Sequence, residues 1–278
     1  MSLSPTDFLI DDDFNDNDKL FNVTDIDGSL KGRGYVERDY KLYPEEYLAS
    51  PGEMPLIPKS EWSDRIKEME REGSRISDVR MRMNAGNLMP SLDQGPVGYC
   101  WAHSTTHTVM LDAGMRKQPY VPLSAYMVAA IIKGGRDEGG WCGLSAKFVR
   151  EIGICSQKTW PQGSRTLSLD TPAMRAEAAK NKITEDWVDL TRAVYDQNLT
   201  FEQLATCLLS GIPCAVDFNW WGHSVCAMDL VEVEPGSFGI RILNSWSDGW
   251  GDKGMGVLRG SKALPNGAVA TRRAGIAA

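Results

Sequence analysis

The order of the predicted elements along the chain favours an α+β fold with two lobes. Helical patterns come first, short strand-like runs follow, and 42 % of the 278 residues are hydrophobic, which is ample for a core of this size. This order predicts a helical lobe at about 90–200 and a sheet lobe at about 210–260, with a cleft between them. The predicted helices cover about 100–112, 123–132, a stretch after Gly143 and 201–210, and the predicted strands cover 213–218, 223–233, 238–244 and 254–259.

The region before the core differs from it in composition and is interpreted as an arm. Residues 1–30 are rich in Asp, Asn and Ser, which predicts a solvated or partner-bound tail. A charged helix should begin at a Ser60 cap, run to about Arg71 and end at Gly73. Between the tail and this helix, tyrosines and prolines favour an extended segment laid on a surface: Tyr35, Tyr40, Tyr43, Tyr47, Pro44, Pro51, Pro55 and Pro58.

These patterns predict an acidic, extended arm over 1–75, a core domain over 76–260 and a flexible C-terminal tail over 261–278.

The net charge of −7 argues against nucleic acid as a partner. The sequence contains no run of about 18 apolar residues, so no membrane span is expected, and the N-terminus has no signal-peptide pattern. Six cysteines without a disulfide framework fit a reducing compartment, either a cytoplasm or a particle assembled in one.

One string stands out, Gln-Gly-Pro-Val-Gly-Tyr-Cys-Trp-Ala-His-Ser, which begins at Gln94 and contains Cys100. Cys100 opens a predicted helix, and the positive end of the helix dipole predicts a lowered thiol pKa. Gln94 supplies an amide donor that can face the oxygen of a tetrahedral intermediate. Downstream come His223, in Gly-His-Ser-Val, and Asn244, in Asn-Ser-Trp-Ser-Asp-Gly-Trp-Gly. Cysteine, histidine and asparagine in this order are the parts of a thiol hydrolase.

These strings resemble the signatures of the papain-like cysteine peptidases, which read approximately Gln-Gly-x-Cys-Gly-Ser-Cys-Trp-Ala-Phe-Ser, Gly/Asn-His-Ala-Val and Asn-Ser-Trp-Gly-x-x-Trp-Gly. Gly139 and Gly140 stand where that family has its substrate-binding glycine pair. The resemblance covers roughly 75–260, in the right order. It implies a papain-like fold, with a helical lobe and an antiparallel sheet or barrel lobe, in a divergent, non-secreted member.

The resemblance also implies a role for each residue. Cys100 would attack a peptide carbonyl, His223 would pair with the thiolate and protonate the leaving amine, and Asn244 would orient the imidazole. Gln94 and the Cys100 N–H would form the oxyanion hole. Trp246 would cover the histidine–asparagine contact from water. This chemistry requires no metal or organic cofactor, and its substrate is a peptide or protein.

Other interpretations of the same residues stay open at this point. Cys100, His103 and His107 share one helix face, and thiolate and imidazole suit zinc. Positions i and i+7 lie about 10 Å apart, however, so these side chains converge poorly and no metal is expected. A lone cysteine is usually a buried hydrophobe, and Trp101 and Trp246 are more often packing residues than substrate platforms.

Departures from the family pattern lie near the cleft. Val97 stands where secreted members carry a disulfide cysteine. Tyr99 replaces a serine beside the nucleophile and is expected to narrow the entrance. Only six residues separate Val216 from His223, where relatives carry a longer excursion, so one wall of the substrate cleft should be rebuilt.

Two functions of different classes follow. One is a papain-like peptidase or amidase of a reducing compartment. The other is a structural component of a larger assembly, such as a virus particle, built on the same fold and holding neighbours through its N-terminal arm. The arm itself has two interpretations, an anchor for such an assembly or a segment that runs through the cleft and blocks it.

Overall fold

The computed structural model describes residues 3, 7–14, 17–39, 41–43, 56–183, 187–190, 197–271 and 274–276. Its helices are α1 (Asn17–Leu20), α2 (Trp62–Glu72), α3 (Ile76–Arg80), α4 (Cys100–Met115), α5 (Ala125–Lys133), α6 (Cys142–Glu151), α7 (Pro172–Ala178) and α8 (Gln197–Leu209). Its strands are β1 (Leu9–Ile10), β2 (Asn181–Ile183), β3 (Trp187–Asp189), β4 (Cys214–Phe218), β5 (His223–Glu234), β6 (Ser237–Leu243), β7 (Met255–Leu258), β8 (Gly267–Thr271) and β9 (Ala274–Ile276).

The main sheet is mixed and does not close into a barrel. Its strand order is β1-β7-β6-β5-β4-β8-β3, with β1 parallel to β7 and the other pairs antiparallel. A separate small sheet pairs β2 with β9. All five residues of β4 are buried, because this central strand is covered on both faces.

Helix α4 lies against this sheet and forms the axis of the core. Apart from Ala113 and Met115, every residue of α4 is buried. The Ser104 hydroxyl donates to the Val225 carbonyl of β5 at 2.6 Å, which joins the helix to the strand that starts at His223. Helices thus pack against an open, mostly antiparallel sheet, and the predicted α+β class is confirmed.

The charged helix before the core has a different start from the predicted one. Residues 59–61 form a 3-10 turn, and α2 begins at Trp62 with Glu61 at its N-cap. No side chain caps it, so the predicted Ser60 cap is wrong. Gly73 ends α2 with φ of 59°, in the left-handed region that glycine adopts at little cost.

The C-terminal segment also departs from its prediction. Residues 267–271, expected to be part of a flexible tail, form β8 between β4 and β3. The Ala-Val-Ala-Thr run of β8 is buried because its small and branched side chains fit a covered strand. The flexible-tail interpretation is therefore wrong for these residues.

The described part of the N-terminal arm lies on its own domain. Strand β1 pairs with β7, Ile10 and Leu20 are buried, and the Asp7 carboxylate accepts hydrogen bonds from Arg241 at 2.5 and 3.2 Å. The predictions for Tyr40, Tyr47, Pro44, Pro51 and Pro55 concern positions outside the described residues.

Membrane insertion through a helix finds no support in the part of the chain that the structure describes. None of the helices there combines the length and the apolar character that a bilayer crossing requires.

The packing of α2 predicts that this helix belongs to the cooperative fold. Trp62 is 2 % exposed and packs edge-on against Phe238 at a ring separation of 5.1 Å. We expect Trp62→Ala to lower the free energy of unfolding by about 3–5 kcal/mol, because a large buried side chain leaves a cavity. Denaturant unfolding followed by circular dichroism measures this loss. Lys67→Ala on the exposed face of α2 is the matched control, and equal effects of the two variants would contradict the packing.

Candidate active site

The predicted nucleophile lies at the start of the central helix, beneath the N-terminal arm. Cys100 is the first residue of α4 and is fully buried. The backbone N–H of Gly34 donates a hydrogen bond to its Sγ at 3.3 Å. The arm therefore contacts the thiol through its backbone.

His223 and Asn244 come together at the edge of the sheet lobe. His223 opens β5, Asn244 follows β6, and Nε2 of the imidazole lies 2.8 Å from Oδ1 of the amide. Because Oδ1 is an acceptor, Nε2 carries the proton, and Nδ1 is left as the basic nitrogen. Within the described residues Nδ1 has no hydrogen-bond partner, so no hydrogen bond joins it to Cys100.

Two indoles enclose this imidazole. The rings of Trp246 and Trp221 lie 4.7 and 4.9 Å from the His223 ring. Both indoles are buried, so they shield the His223–Asn244 hydrogen bond from water. The sequence interpretation included Trp246 and missed Trp221, although Trp221 lies only two positions before His223. Trp101 is also buried and donates from Nε1 to the Gly98 carbonyl at 3.1 Å.

Gln94 is held so that one of its N–H groups faces the arm. The Ser245 hydroxyl donates to its Oε1 at 2.5 Å, and one Nε2 proton goes to the Val97 carbonyl at 2.8 Å. The other Nε2 proton goes to the carbonyl of Gly32 at 2.9 Å. The same carbonyl accepts from Nε1 of Trp246 at 3.2 Å. Two side-chain donors thus converge on one peptide oxygen.

The arm continues along the glycine pair. Gly140 donates its N–H to the Gly34 carbonyl and accepts the N–H of Val36, both at 2.9 Å, which makes a parallel pairing opposite Tyr35. A Cβ on Gly139 would lie 2.5 Å from the Gly34 carbonyl oxygen. The predicted glycine pair therefore provides the backbone surface on which the arm rests.

The arm itself fits only because two of its residues are glycines. A Cβ on Gly32 would lie 2.0 Å from the Val97 carbonyl oxygen, and one on Gly34 would lie 2.0 Å from that of Gly98. Neither glycine has a positive φ, so backbone conformation does not demand glycine at either position. Glycine is required there because the arm lies so close to the two carbonyl oxygens.

Burial controls the ionisation of the thiol and the imidazole. Desolvation raises the pKa of Cys100 to about 11, against hydrogen bonds from Gly34 and Ser224 that lower it. Desolvation also lowers the pKa of His223 to about 3, although the Asn244 hydrogen bond favours the charged ring. The lowered thiol pKa expected from the helix dipole is therefore wrong for this arrangement, because burial outweighs the dipole. Both groups are neutral at pH 7, in place of the expected ion pair.

The remaining candidates on α4 have partners of their own. Nδ1 of His103 lies 2.8 Å from the Tyr99 carbonyl, and Nε2 of His107 accepts the N–H of Leu92 at 3.0 Å. No cluster of three or more metal-ligating side chains occurs among the described residues. Tyr99 is fully buried and donates its hydroxyl to the Arg136 carbonyl, so it does not narrow the entrance as expected.

The ionisation state predicts a specific pH dependence of thiol labelling. We expect iodoacetamide to modify Cys100 of the intact chain slowly at pH 7, where a thiol of pKa about 11 is ionised only to roughly one part in 10⁴. The rate should rise throughout the range from pH 7 to 10, because only the thiolate reacts. Peptide mass spectrometry after timed labelling measures it, with Cys100→Ala as the control. A rate that levels off near pH 8 would contradict the neutral, buried thiol.

Comparisons with known proteins find similarity to cysteine proteinases. No protein-family profile matches the chain. It is 23 % identical to zingipain-2 of Zingiber officinale over 196 residues, which span 65 % of this chain and 86 % of that protein. It is 21 % identical to cysteine proteinase 1 of Entamoeba histolytica over 280 residues, covering 87 % of each.

Solved structures show the same relationship at the level of the fold. Xylellain, a cysteine protease from Xylella fastidiosa, superposes with a TM-score of 0.57 at 18 % identity and covers 87 % of this chain and 96 % of its own. The bromelain protease from Ananas comosus, solved with the E64 inhibitor, gives a TM-score of 0.51 at 18 % identity and covers 73 % and 98 %. In sequence, the chain is distantly similar to papain-like cysteine peptidases, and it shares their fold.

Proposed function

We propose that the protein is a cysteine peptidase or amidase whose catalytic residues are Cys100, His223, Asn244 and Gln94, and that its N-terminal arm keeps it closed. The substrate class is a peptide or protein, and no cofactor takes part. All six cysteines are free, which supports a reducing compartment such as a cytoplasm.

The observation that carries this proposal is the position of the Gly32 carbonyl. It accepts hydrogen bonds from Nε2 of Gln94 and Nε1 of Trp246 beside the buried thiol. A site with two fixed donors is complementary to a peptide oxygen, and its donors gain strength when that oxygen becomes an oxyanion. The arm thus occupies the place where a substrate carbonyl would bind.

The chemistry begins when the arm leaves and water re-enters the cleft. Solvation removes the burial that keeps both groups neutral, and the thiol proton passes to Nδ1 of His223. The thiolate of Cys100 attacks the substrate carbonyl carbon, and Gln94 with the Cys100 N–H stabilises the resulting oxyanion. The imidazolium, oriented by Asn244, returns the proton to the leaving amine as the C–N bond breaks. Water then hydrolyses the thioester by the reverse proton transfers and regenerates the thiol.

The arm is suited to block this reaction without being cut. The group that meets Sγ of Cys100 is the N–H of Gly34, a hydrogen-bond donor, and not a carbonyl carbon. The carbonyl held by Gln94 belongs to Gly32, two residues earlier. The Cys100 sulfur and the amide of Gln94 therefore contact two different peptide groups of the arm. In the described part of the arm, no peptide bond has its carbonyl oxygen held by Gln94 and its carbonyl carbon facing the sulfur.

The assembly hypothesis assigns the N-terminal arm to contacts with neighbouring subunits. The described arm residues instead pack on their own domain through β1, Ile10 and Leu20. A component without activity, in a virus particle or elsewhere, nevertheless makes a distinct prediction: its Cys100 would stay inert even when the arm is displaced.

Displacement of the arm should therefore activate the thiol. We expect the double variant Gly32→Ala/Gly34→Ala to react with E64 at least about tenfold faster than the wild type, because each new Cβ would overlap a carbonyl oxygen and overpacking costs about 1–3 kcal/mol. Intact mass measured over time under reducing conditions gives the rate. The expected product is one adduct, located at Cys100.

Two controls make this test decisive. Gly249→Ala adds a methyl group off the arm, where a Cβ meets its nearest neighbour at an ordinary 3.5 Å, and should leave the rate unchanged. Cys100→Ala in the displaced background should abolish the adduct. An inert Cys100 in the displaced, folded variant would support the scaffold alternative and overturn the peptidase proposal.

The fixed amide of Gln94 predicts a defect confined to the chemical step. In the displaced background, we expect Gln94→Ala to lower kcat for a peptide substrate by about 10²–10³ with a smaller effect on KM, because an oxyanion donor acts mainly in the transition state. Ser245→Ala removes only the hydroxyl that fixes the amide and should cost less. A change confined to KM would show that Gln94 is a binding residue and not an oxyanion donor.

A further inference from the structure

A buried carboxylate lies one hydroxyl group away from the predicted nucleophile. Asp217 of β4 is 4 % exposed and stands opposite Ser224 of β5 in the sheet register. The Ser224 hydroxyl donates to Oδ1 of Asp217 at 2.5 Å, and the backbone and side chain of Ser224 also hydrogen-bond the Cys100 thiol. The papain-like histidine signature has alanine at this position, so the hydroxyl is a departure of this chain.

The Ser224 hydroxyl has one proton and two possible acceptors. While Asp217 is charged, it takes this proton, because a carboxylate is the stronger acceptor. The oxygen of Ser224 then turns only lone pairs to the Cys100 sulfur, which suits a thiol and opposes a thiolate. The negative charge acts in the same direction: after burial, which is the larger cause, it raises the pKa of Cys100.

A neutral Asp217 would reverse this arrangement. Its Oδ2 accepts the Cys142 N–H at 3.1 Å, so a proton gained from solvent resides on Oδ1, the oxygen that faces Ser224. The new O–H donates to Ser224, and the hydroxyl proton of Ser224 turns to the Cys100 sulfur. The Cys142 thiol, which donates to Oδ1 at 3.0 Å, has a second acceptor in the Ser104 hydroxyl at 3.6 Å. Each of these donors therefore keeps an acceptor in both states.

The surroundings of Asp217 allow its charge to change at mildly acidic pH. Desolvation raises its pKa to about 6, against hydrogen bonds that lower it, and the charge of Asp189 on β3 adds to the rise. Asp189 forms an ion pair with Arg38 of the arm. A carboxylate with this pKa is charged at pH 8 and neutral at pH 5.

Other titratable side chains near Asp217 keep their charge over this range. Burial raises the pKa values of the Cys142 thiol on α6 and the Cys100 thiol on α4, and burial lowers the pKa of His223 on β5. These three groups are therefore neutral from pH 5 to pH 8. From the arm, the Tyr35 side chain lines the same small space as Asp217.

We propose that Asp217 is a positioning residue for the nucleophile: through the Ser224 hydroxyl, it holds Cys100 as a thiol while charged and favours the thiolate once neutral. The donors to Asp217, which are Cys142 and Ser224, belong to the domain and not to the arm, so this control persists when the arm is displaced. The proposal rests on the proposed function, because it assigns the regulation of the same nucleophile.

The experiment measures thiolate formation in the intact chain with 2,2′-dipyridyl disulfide. The Cys100 thiolate attacks one sulfur of this probe, forms a mixed disulfide and releases pyridine-2-thione. Peptide mass spectrometry under non-reducing conditions gives the labelling rate from pH 4 to 9. We expect Asp217→Asn to label at least about tenfold faster than the wild type at pH 8, because loss of a nearby like charge shifts the thiol pKa by about one unit. At pH 5 the two rates should agree within about twofold, since the wild-type carboxyl is then neutral.

A second variant tests the hydroxyl by itself. Ser224→Ala adds no bulk, and it should slow labelling at least about fivefold at pH 5, where the hydroxyl donates to the sulfur. It should not slow labelling at pH 8, where the hydroxyl proton belongs to Asp217. Asp229→Asn is the matched control, because it removes another buried carboxylate of the same sheet, one held by Ser77 and Arg241. It should change the rates at both pH values by the same factor.

The outcomes separate this control from the peptidase. Equal acceleration by Asp217→Asn at pH 5 and pH 8, or none at pH 8, would overturn the role of Asp217 and leave the proposed function standing. If Asp217→Asn does not fold, Ser224→Ala decides, and an unchanged rate at pH 5 would overturn the proposal. Failure of E64 to label the folded, displaced chain would overturn the proposed function, whereas acceleration confined to high pH would still support the coupling of Asp217 to the thiol.

Discussion

The burial of helix α4 on nearly all sides is the constraint on which the rest of the structure depends. A helix without a solvent face cannot shift along its axis or rotate without disturbing the sheet and the neighbouring helices together. Its hydroxyl side chains are therefore satisfied inside the core, as Ser104 is by the Val225 carbonyl and Thr105 is by the Ser145 hydroxyl at 2.6 Å. Cys100 is the first residue of this helix, so core packing and not loop conformation fixes the position of the thiol.

Sheet topology completes the site from the other side. His223 begins β5 directly after the short connection from β4, and Asn244 follows β6, the antiparallel neighbour of β5. The start of one strand and the end of its antiparallel neighbour lie at the same edge of the sheet. The two side chains therefore meet through strand pairing alone, and two indoles from flanking segments cover their contact.

Much of this arrangement could be predicted from the sequence. The motif around Cys100 marks its helical side, and the motifs around His223 and Asn244 mark its sheet side. Strand and helix boundaries in the core fell within a few residues of the observed ones, and His223 and Asn244 are in contact. What could not be predicted depends on burial. The Cys100 pKa requires knowledge of what covers the thiol, and β8 is a strand only because β4 and β3 flank it.

The arm was the least predictable part for a related reason. Its contacts with the cleft are made largely by backbone atoms, and backbone contacts leave little trace in amino-acid composition. The one sequence feature that reflects these contacts is the Gly-Arg-Gly run at 32–34. Its two glycines are needed because of their short distances to the Val97 and Gly98 carbonyls, and these distances are known only from the structure.

The attachment of the arm at both ends has a consequence for how the cleft opens. Upstream, β1 is held by β7, and downstream the chain returns to the domain through the buried Trp62 and Ile66. Gly32 and Gly34 thus face the cleft at an effective concentration that is set by the chain on either side and is independent of the protein concentration. A single cut of the chain would leave the blocking segment anchored on one side and able to rebind. For the proposed peptidase, the arm and a substrate would therefore compete within one molecule, and dilution of the protein would not change the outcome.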